Sequence, residues 1–340
     1  MNVNQNTGRN YCISILRVLG MLFIILCHIA SWLDIAFLEQ FFNYGVYIFL
    51  FISGFLYANK EINSPSKWFL TRVKKLLIPF YLFVIPVSIV YFKINGFDGL
   101  EAIKYLFCLQ GINFITPFIP FSEIKPLGNL WFVTIILICY LLTILVKKIE
   151  KKHKLNIAVI ILILVAAWFI PKIMMCFNIP YISLEYFVTY FLGYYISKFK
   201  VKNTLPIFII YGLFLFLASI GIRLVGKYCF DNSINNFYLL IVSTTHLGLA
   251  VSTYFMCNYL VNKFTIFIKS PRIPNIWITF DKLSYPIYIT HYAFLNSVTS
   301  VDNFGLSKPI SFILFILMTI TSALIIFYID KAIQNKFIRT

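Results

Sequence analysis

Arg17 and His28 stand eleven residues apart in the apolar run that opens the chain. At 3.6 residues per turn this spacing is three turns plus about 20°, with a rise of roughly 16 Å, so both side chains leave one face of a helix at different depths. Gly20 and Ile24 fall on the same stripe, where a glycine lets another helix or a slender ligand approach the backbone. Ionisable groups inside an apolar span cost several kcal/mol each and need a functional or a packing explanation. An arginine about one turn inside can snorkel its guanidinium to the headgroups. A histidine lying deeper is too short to reach water and either makes one hydrogen bond to a neighbouring helix or works as an acid–base group. Paired on one stripe, the two suit one reaction, in which an imidazole takes the proton of a hydroxyl and a guanidinium holds phosphate or amide oxygens.

Other candidates are spread along the sequence. Arg72, Lys74 and Lys75 form a basic cluster that either binds an anionic ligand or anchors the chain to anionic lipid. Ser53 and Gly54 read as small residues for close helix packing rather than as a nucleophile, since no base is placed beside Ser53. His291 and Tyr288 lie in a late apolar stretch, where they orient an acceptor or His28, or make an interhelical hydrogen bond. Glu185 is the carboxylate expected well inside a span, to orient His28 or pair with a buried base. His246 reads as a packing or hydrogen-bonding residue and His153 as solvated in a lysine-rich loop. No His/Asp/Glu spacing points to a metal. The seven cysteines include no C-x-x-C pair and read as small hydrophobes rather than a disulfide framework.

The elements that must carry these residues follow from composition. Of 340 residues 60% are hydrophobic and 12% charged, with 37 Phe and 22 Tyr; a soluble domain carries about a quarter charged residues, so a water-soluble globule is excluded. Runs such as 157–170 do not alternate, which excludes a transmembrane barrel. The expected fold is all-α and polytopic, with about ten spans near 13–33, 41–58, 77–93, 130–146, 155–170, 181–197, 204–222, 239–261, 283–300 and 310–329. With the N-terminus inside, the inner loops collect about 20 Lys and Arg and the outer loops about seven, which places both termini in the cytoplasm. Outer-loop cations include Lys93, Lys104, Lys125, Lys172 and Lys308. The +17 net charge is then a topology signal rather than a nucleic-acid footprint. A short amphipathic stretch near 100–109 is expected on the outer surface. The first run reads as an uncleaved helix rather than a signal peptide, and the chain as one integral-membrane domain, 1–340.

The sequence also resembles a family, the integral-membrane acyltransferases of the acyltransferase 3 type. Arg17 and His28 match its Arg-x10-His motif. Gly45, Ser53, Gly54 and Phe55 are similar to its glycine-aromatic-Ser-Gly-Phe segment, Arg72, Lys75 and Pro79 to its basic loop ending in proline, and Ser284, Tyr285, Tyr288 and His291 to its Ser-Tyr-x-x-Tyr-Leu-x-His segment. The departures are Asn129 before Leu130 and Trp131, where the family often has a histidine, the missing glutamate pair in the fourth span, and Lys75 for an arginine, which loses the planar fork. The resemblance implies an O-acetyltransferase of the cell membrane, in a bacterium the plasma membrane. It implies cytoplasmic acetyl-CoA as donor substrate, with no tightly bound cofactor, and an extracytoplasmic or lipid-linked glycan as acceptor. His28 is then the catalytic base, assisted by Arg17, and Arg17, Arg72, Lys74 and Lys75 hold the coenzyme. His291, Tyr288, Ser53, Glu185 and Trp131 are the acceptor or supporting residues. Expected partners are the acyl-CoA, the glycan and membrane lipids. The reading from another class is a polysaccharide exporter or flippase lined by Arg17, His28 and Glu185.

Overall fold

The computed structural model describes residues 11–116, 124–153, 156–201, 214, 217, 235–263 and 272–338, and among them the regular elements are all helical. In chain order they are α1 (Tyr11–Trp32), α2 (Ala36–Phe42), α3 (Gly45–Ala58), α4 (Pro65–Asn95), α5 (Gly99–Leu106), α6 (Trp131–Lys152), α7 (Ile157–Cys176), α8 (Glu185–Lys198), α9 (Asn235–Lys263), α10 (Arg272–Thr290) and α11 (Lys308–Ile338). Six stretches are long and apolar enough to cross a membrane: Tyr11–Trp32, Ala36–Ala58, Pro65–Asn95, Lys125–Lys152, Ile157–Cys176 and Lys308–Lys336. Helices α8, α9 and α10 fall outside that length and composition, and the expected span at 204–222 lies outside the described residues. So do Arg9, Glu123, Lys154, Lys202, Arg223, Lys227, Cys229, Lys269 and Arg339.

The span expected at 283–300 is displaced. Helix α10 starts eleven residues earlier and stops at Thr290, after which the chain runs on through short 3-10 turns to Phe304. Arg272, Asp281 and Lys282 lower the hydropathy of its first half, so apolarity alone places the helix too late. Pro286 inside it cannot donate a backbone hydrogen bond. Thr290 Oγ1 donates to the Pro286 carbonyl, at 3.0 Å, where the helix ends.

The long helices run between two ends of the bundle. At one end Asn59 Nδ2 reaches Ser197 Oγ at 3.0 Å, Lys147 Nζ reaches the Ala58 carbonyl at 2.9 Å, and Lys198 pairs with Glu150 at 2.6 Å. At the opposite end Ser183 N–H bonds the Ile115 carbonyl at 2.8 Å, and Asp302 holds both Trp32 Nε1, at 2.7 Å, and Lys308. Helix α5 lies at that second end, capped by Asp98, which accepts from the Leu100 and Glu101 N–H groups. Its Glu101 and Lys104 are buried while Leu100, Ile103 and Leu106 are exposed. An apolar face turned outward from a polar one turned inward suits a helix lying in the membrane interface, as expected for 100–109.

Close approach of α3 and α8 sets the centre of the bundle. A Cβ on Gly54 would lie 1.9 Å from the Tyr190 carbonyl oxygen, and one on Gly193 would lie 2.0 Å from that of Phe51. Only glycine fits either position. Gly20 serves the same end on α1, because a Cβ there would lie 3.3 Å from the Gly45 carbonyl and 3.2 Å from Phe49. Gly20 itself therefore receives a helix rather than a ligand.

Candidate active site

Helices α1, α3, α4, α6 and α10 enclose a cavity of about 260 Å³. It is lined by Arg17 and Ile24 from α1, Phe49, Ser53 and Tyr57 from α3, Arg72 and Lys75 from α4, Phe132 and Tyr140 from α6, and Asp281, Ser284, Tyr285 and Tyr288 from α10. The Arg17 guanidinium sits 3.0 Å from Asp281 Oδ1, and Ser14 Oγ donates to Asp281 Oδ2 at 2.9 Å. Asp281 has only 1% of its side chain exposed against 36% for Arg17, so the carboxylate fixes the cation and leaves part of it facing the cavity. The sequence reading missed Asp281 by placing it in a loop. The signal was there: residues 281, 284, 285 and 288 follow i, i+3, i+4, i+7 and share a helix face.

Arg72 lies over the Tyr57 and Trp68 rings, at 5.1 and 5.8 Å from their centroids, and its Nε is buried without a hydrogen-bond partner among the described residues. Aromatic faces hold the guanidinium in place without neutralising it. Lys60 stands nearby, where burial and the charges of Arg72, Arg17 and Lys75 push its ammonium below its ordinary value. The cavity mouth is thus electropositive. Lys74 is exposed and does not line the cavity, which separates it from the other three cations. Ser53 lines it, but no histidine does, so nothing there activates Ser53 as a nucleophile.

His28 lies one helical turn beyond Ile24 and borders no part of this cavity. Its ring is 5.3 Å from that of His291 and 4.7 Å, edge-on, from that of Tyr292. The neighbouring His291 is fully buried, with Nδ1 2.7 Å from the Tyr288 carbonyl. A carbonyl only accepts, so Nδ1 carries the proton and Nε2 presents a lone pair. That Nε2 is buried with no partner among the described residues. The same Tyr288 carbonyl accepts from Asn129 Nδ2 at 2.9 Å, and the Tyr288 hydroxyl donates to the Asn129 carbonyl at 2.5 Å. Asn129, the departure from the expected histidine, therefore clamps the turn that carries His291.

Two expected residues are elsewhere. Glu185 does not reach His28; it pairs with Lys172 at 2.7 Å in a second cavity of about 290 Å³ at the opposite end of the bundle. Lys172, read from sequence as an outer-loop cation, is 8% exposed in the last turns of α7. Trp131 also lines that cavity, stacked on Phe114 with centroids 4.4 Å apart, while its neighbour Phe132 lines the first. His246 lines it as well and bonds the Gln40 carbonyl at 3.0 Å, the hydrogen-bonding role expected of it.

A family model described as an acyltransferase domain matches residues 10–328, nearly the whole chain. No curated protein and no solved structure matches. The match spans α1 with its Arg17 and His28, the basic start of α4 and the α10 segment that brings His291 to His28. The chain belongs to the acyltransferase 3 family and is a membrane acyltransferase.

Proposed function

We propose that this protein is an O-acetyltransferase of the cell membrane, moving acetyl from cytoplasmic acetyl-CoA to a hydroxyl of an extracytoplasmic or lipid-linked glycan. The observation that carries this reading is a cationic cavity lined by Arg17, Arg72 and Lys75, with the His28–His291 pair one helical turn beyond its Ile24 wall on α1. The coenzyme phosphates dock at the mouth on Arg72 and Lys75, and Arg17 holds the arm further in. The thioester passes Ile24, one turn below His28, to reach the imidazole. The acceptor hydroxyl arrives from the other side. As its oxygen attacks the thioester carbonyl carbon, His28 takes its proton, and collapse of the tetrahedral species breaks the carbon–sulfur bond and releases the coenzyme thiolate. His291, locked with its proton on Nδ1, packs its ring 5.3 Å from that of His28 and so positions the base.

An exporter needs one continuous polar path, whereas Arg17, His28 and Glu185 occupy three separate surroundings, which favours group transfer. Purified protein in lipid vesicles is expected to move radiolabelled acetyl from acetyl-CoA to a glycan. His28→Ala loses about 10²–10⁴-fold of the rate, the range for a general base, while keeping its thermal unfolding temperature. Passage of unmodified glycan with no dependence on acetyl-CoA would overturn the assignment.

A further inference from the structure

The second cavity has a chemistry of its own. Lys172 Nζ lies 2.7 Å from Glu185 Oε2 and 2.5 Å from Ser243 Oγ, and 4.6 Å from the centroid of the Trp168 ring. Burying an ion pair is costly and gains little stability over an apolar pair of the same size. Because the pair is neutral as a whole, it offers both donors and acceptors without a net charge to attract an anion. His246 adds another acceptor: its Nε2 faces the Gln40 carbonyl, so that nitrogen carries the proton and Nδ1 the lone pair. The walls are largely aromatic. Trp131 is sandwiched between Phe114 and Tyr186, at 4.4 and 4.8 Å, and Trp168 forms another face of the lining. At about 290 Å³ the space is at the small end for ligand pockets and admits one ring rather than a chain.

We propose that this cavity binds a neutral, polyhydroxylated ring, a single uncharged sugar unit, packed against the edge of Trp131 and the other aromatic side chains of the lining, with its hydroxyls bridging Lys172, Glu185 and His246. The proposal rests on the acetyltransferase reading in one respect only: the ring is then a part of the acceptor remote from the hydroxyl that reacts. Adjacent residues Trp131 and Phe132 look into different cavities, so the sugar and coenzyme sites are partitioned. Binding energy gathered on a non-reacting unit in this way orients the reacting one.

The test is tryptophan fluorescence of the full chain in nanodiscs, titrated with neutral hexopyranosides and N-acetylhexosaminides, with galacturonate, and with inorganic phosphate. A neutral sugar is expected to bind most tightly. Lys172→Met weakens it at least tenfold, the loss of one hydrogen bond to a charged group, and Lys172→Arg, which retains the pair, restores most of it. Coenzyme binding by each variant reports that the fold is intact. Should Lys172→Met fail to fold, Glu185→Gln is read in the same way. Tighter binding of galacturonate or phosphate, equal binding by Lys172→Met, or no binding of any neutral sugar overturns the proposal. A wild-type protein that binds the sugar yet transfers no acetyl refutes the functional reading alone.

Discussion

At the scale of single residues, the cavity cation is held by a carboxylate from a helix far away in sequence, and this makes Arg17 testable apart from catalysis. Removing one partner of a buried ion pair costs about 3–5 kcal/mol, and solvent reaching the half-open Arg17 side chain lowers this to about 1–3 kcal/mol. Asp281→Asn is expected to destabilise the protein by that amount in detergent unfolding. In a double-mutant cycle with Arg17→Met the two changes couple by about 1 kcal/mol or more; additive effects would mean that the pair does no structural work. His291 calls for another readout. His291→Asn preserves a donor for the Tyr288 carbonyl and deletes the Nε2 lone pair. The expected result is kcat down at least tenfold with coenzyme affinity unchanged, and an altered pH–rate profile, which a packing defect would not produce. Sequence made Arg17, His28 and Arg72 legible because charge in or beside an apolar run stands out. It hid Asp281 and Lys172, because each sits where an apolar run thins and so reads as loop. Asn129 was marked only as a departure from a histidine, and its clamping role was hidden because an amide carries no charge to signal it.

The elements depend on how closely helices approach. Gly54 and Gly193 face each other's helix backbones so tightly that a methyl group at either would overlap a carbonyl oxygen. Alanine at either position must push α3 and α8 apart, and overpacking of this kind costs about 1–3 kcal/mol or more. Gly54→Ala is expected to lower the unfolding temperature and to weaken coenzyme binding as well, since α3 carries Phe49, Ser53 and Tyr57 into the cavity proposed for the donor. Ser53→Ala, beside it, should leave the unfolding temperature unchanged, and a matching loss there would refute the packing argument. Helix α1 was legible from hydropathy to within two residues, whereas α6, α7 and α11 run six, six and nine residues past the ends expected for them and α4 begins twelve residues before its expected span. Helix α10 was not legible, because Arg272, Asp281 and Lys282 erase the apolar signal, and of these Asp281 is the one that lines the cavity. Nor was α2, whose seven residues turn back along α1: Phe42 and Tyr44 contact Phe23 at 5.5 and 5.1 Å. Nothing in the sequence distinguishes such a segment from the start of a longer α3.

For the whole molecule, charge and geometry agree on a direction. Among the described residues fifteen Lys and Arg gather at the end of the bundle formed by the C-termini of α3, α6, α8, α9 and α11 and the N-termini of α4 and α10, including Lys60, Lys67, Lys148, Lys151 and Lys200. Lys93, Lys104, Lys125, Lys172 and Lys308 lie toward the other. By the positive-inside rule the first end is expected to face the cytoplasm, the side on which the cationic cavity must open if coenzyme enters from the cytosol, and the Lys172–Glu185 cavity is then expected to face outward. Single cysteines in a cysteine-free background test this in intact cells. An impermeant thiol reagent is expected to label Phe97→Cys and Asn303→Cys directly, and Asn63→Cys and Lys148→Cys only after permeabilisation. All four positions are exposed, so silence at a site reports its side of the membrane rather than burial. The reverse pattern would put the arginine cavity on the extracytoplasmic face, where no cytoplasmic acyl-CoA could reach it, and the donor assignment would fall with it.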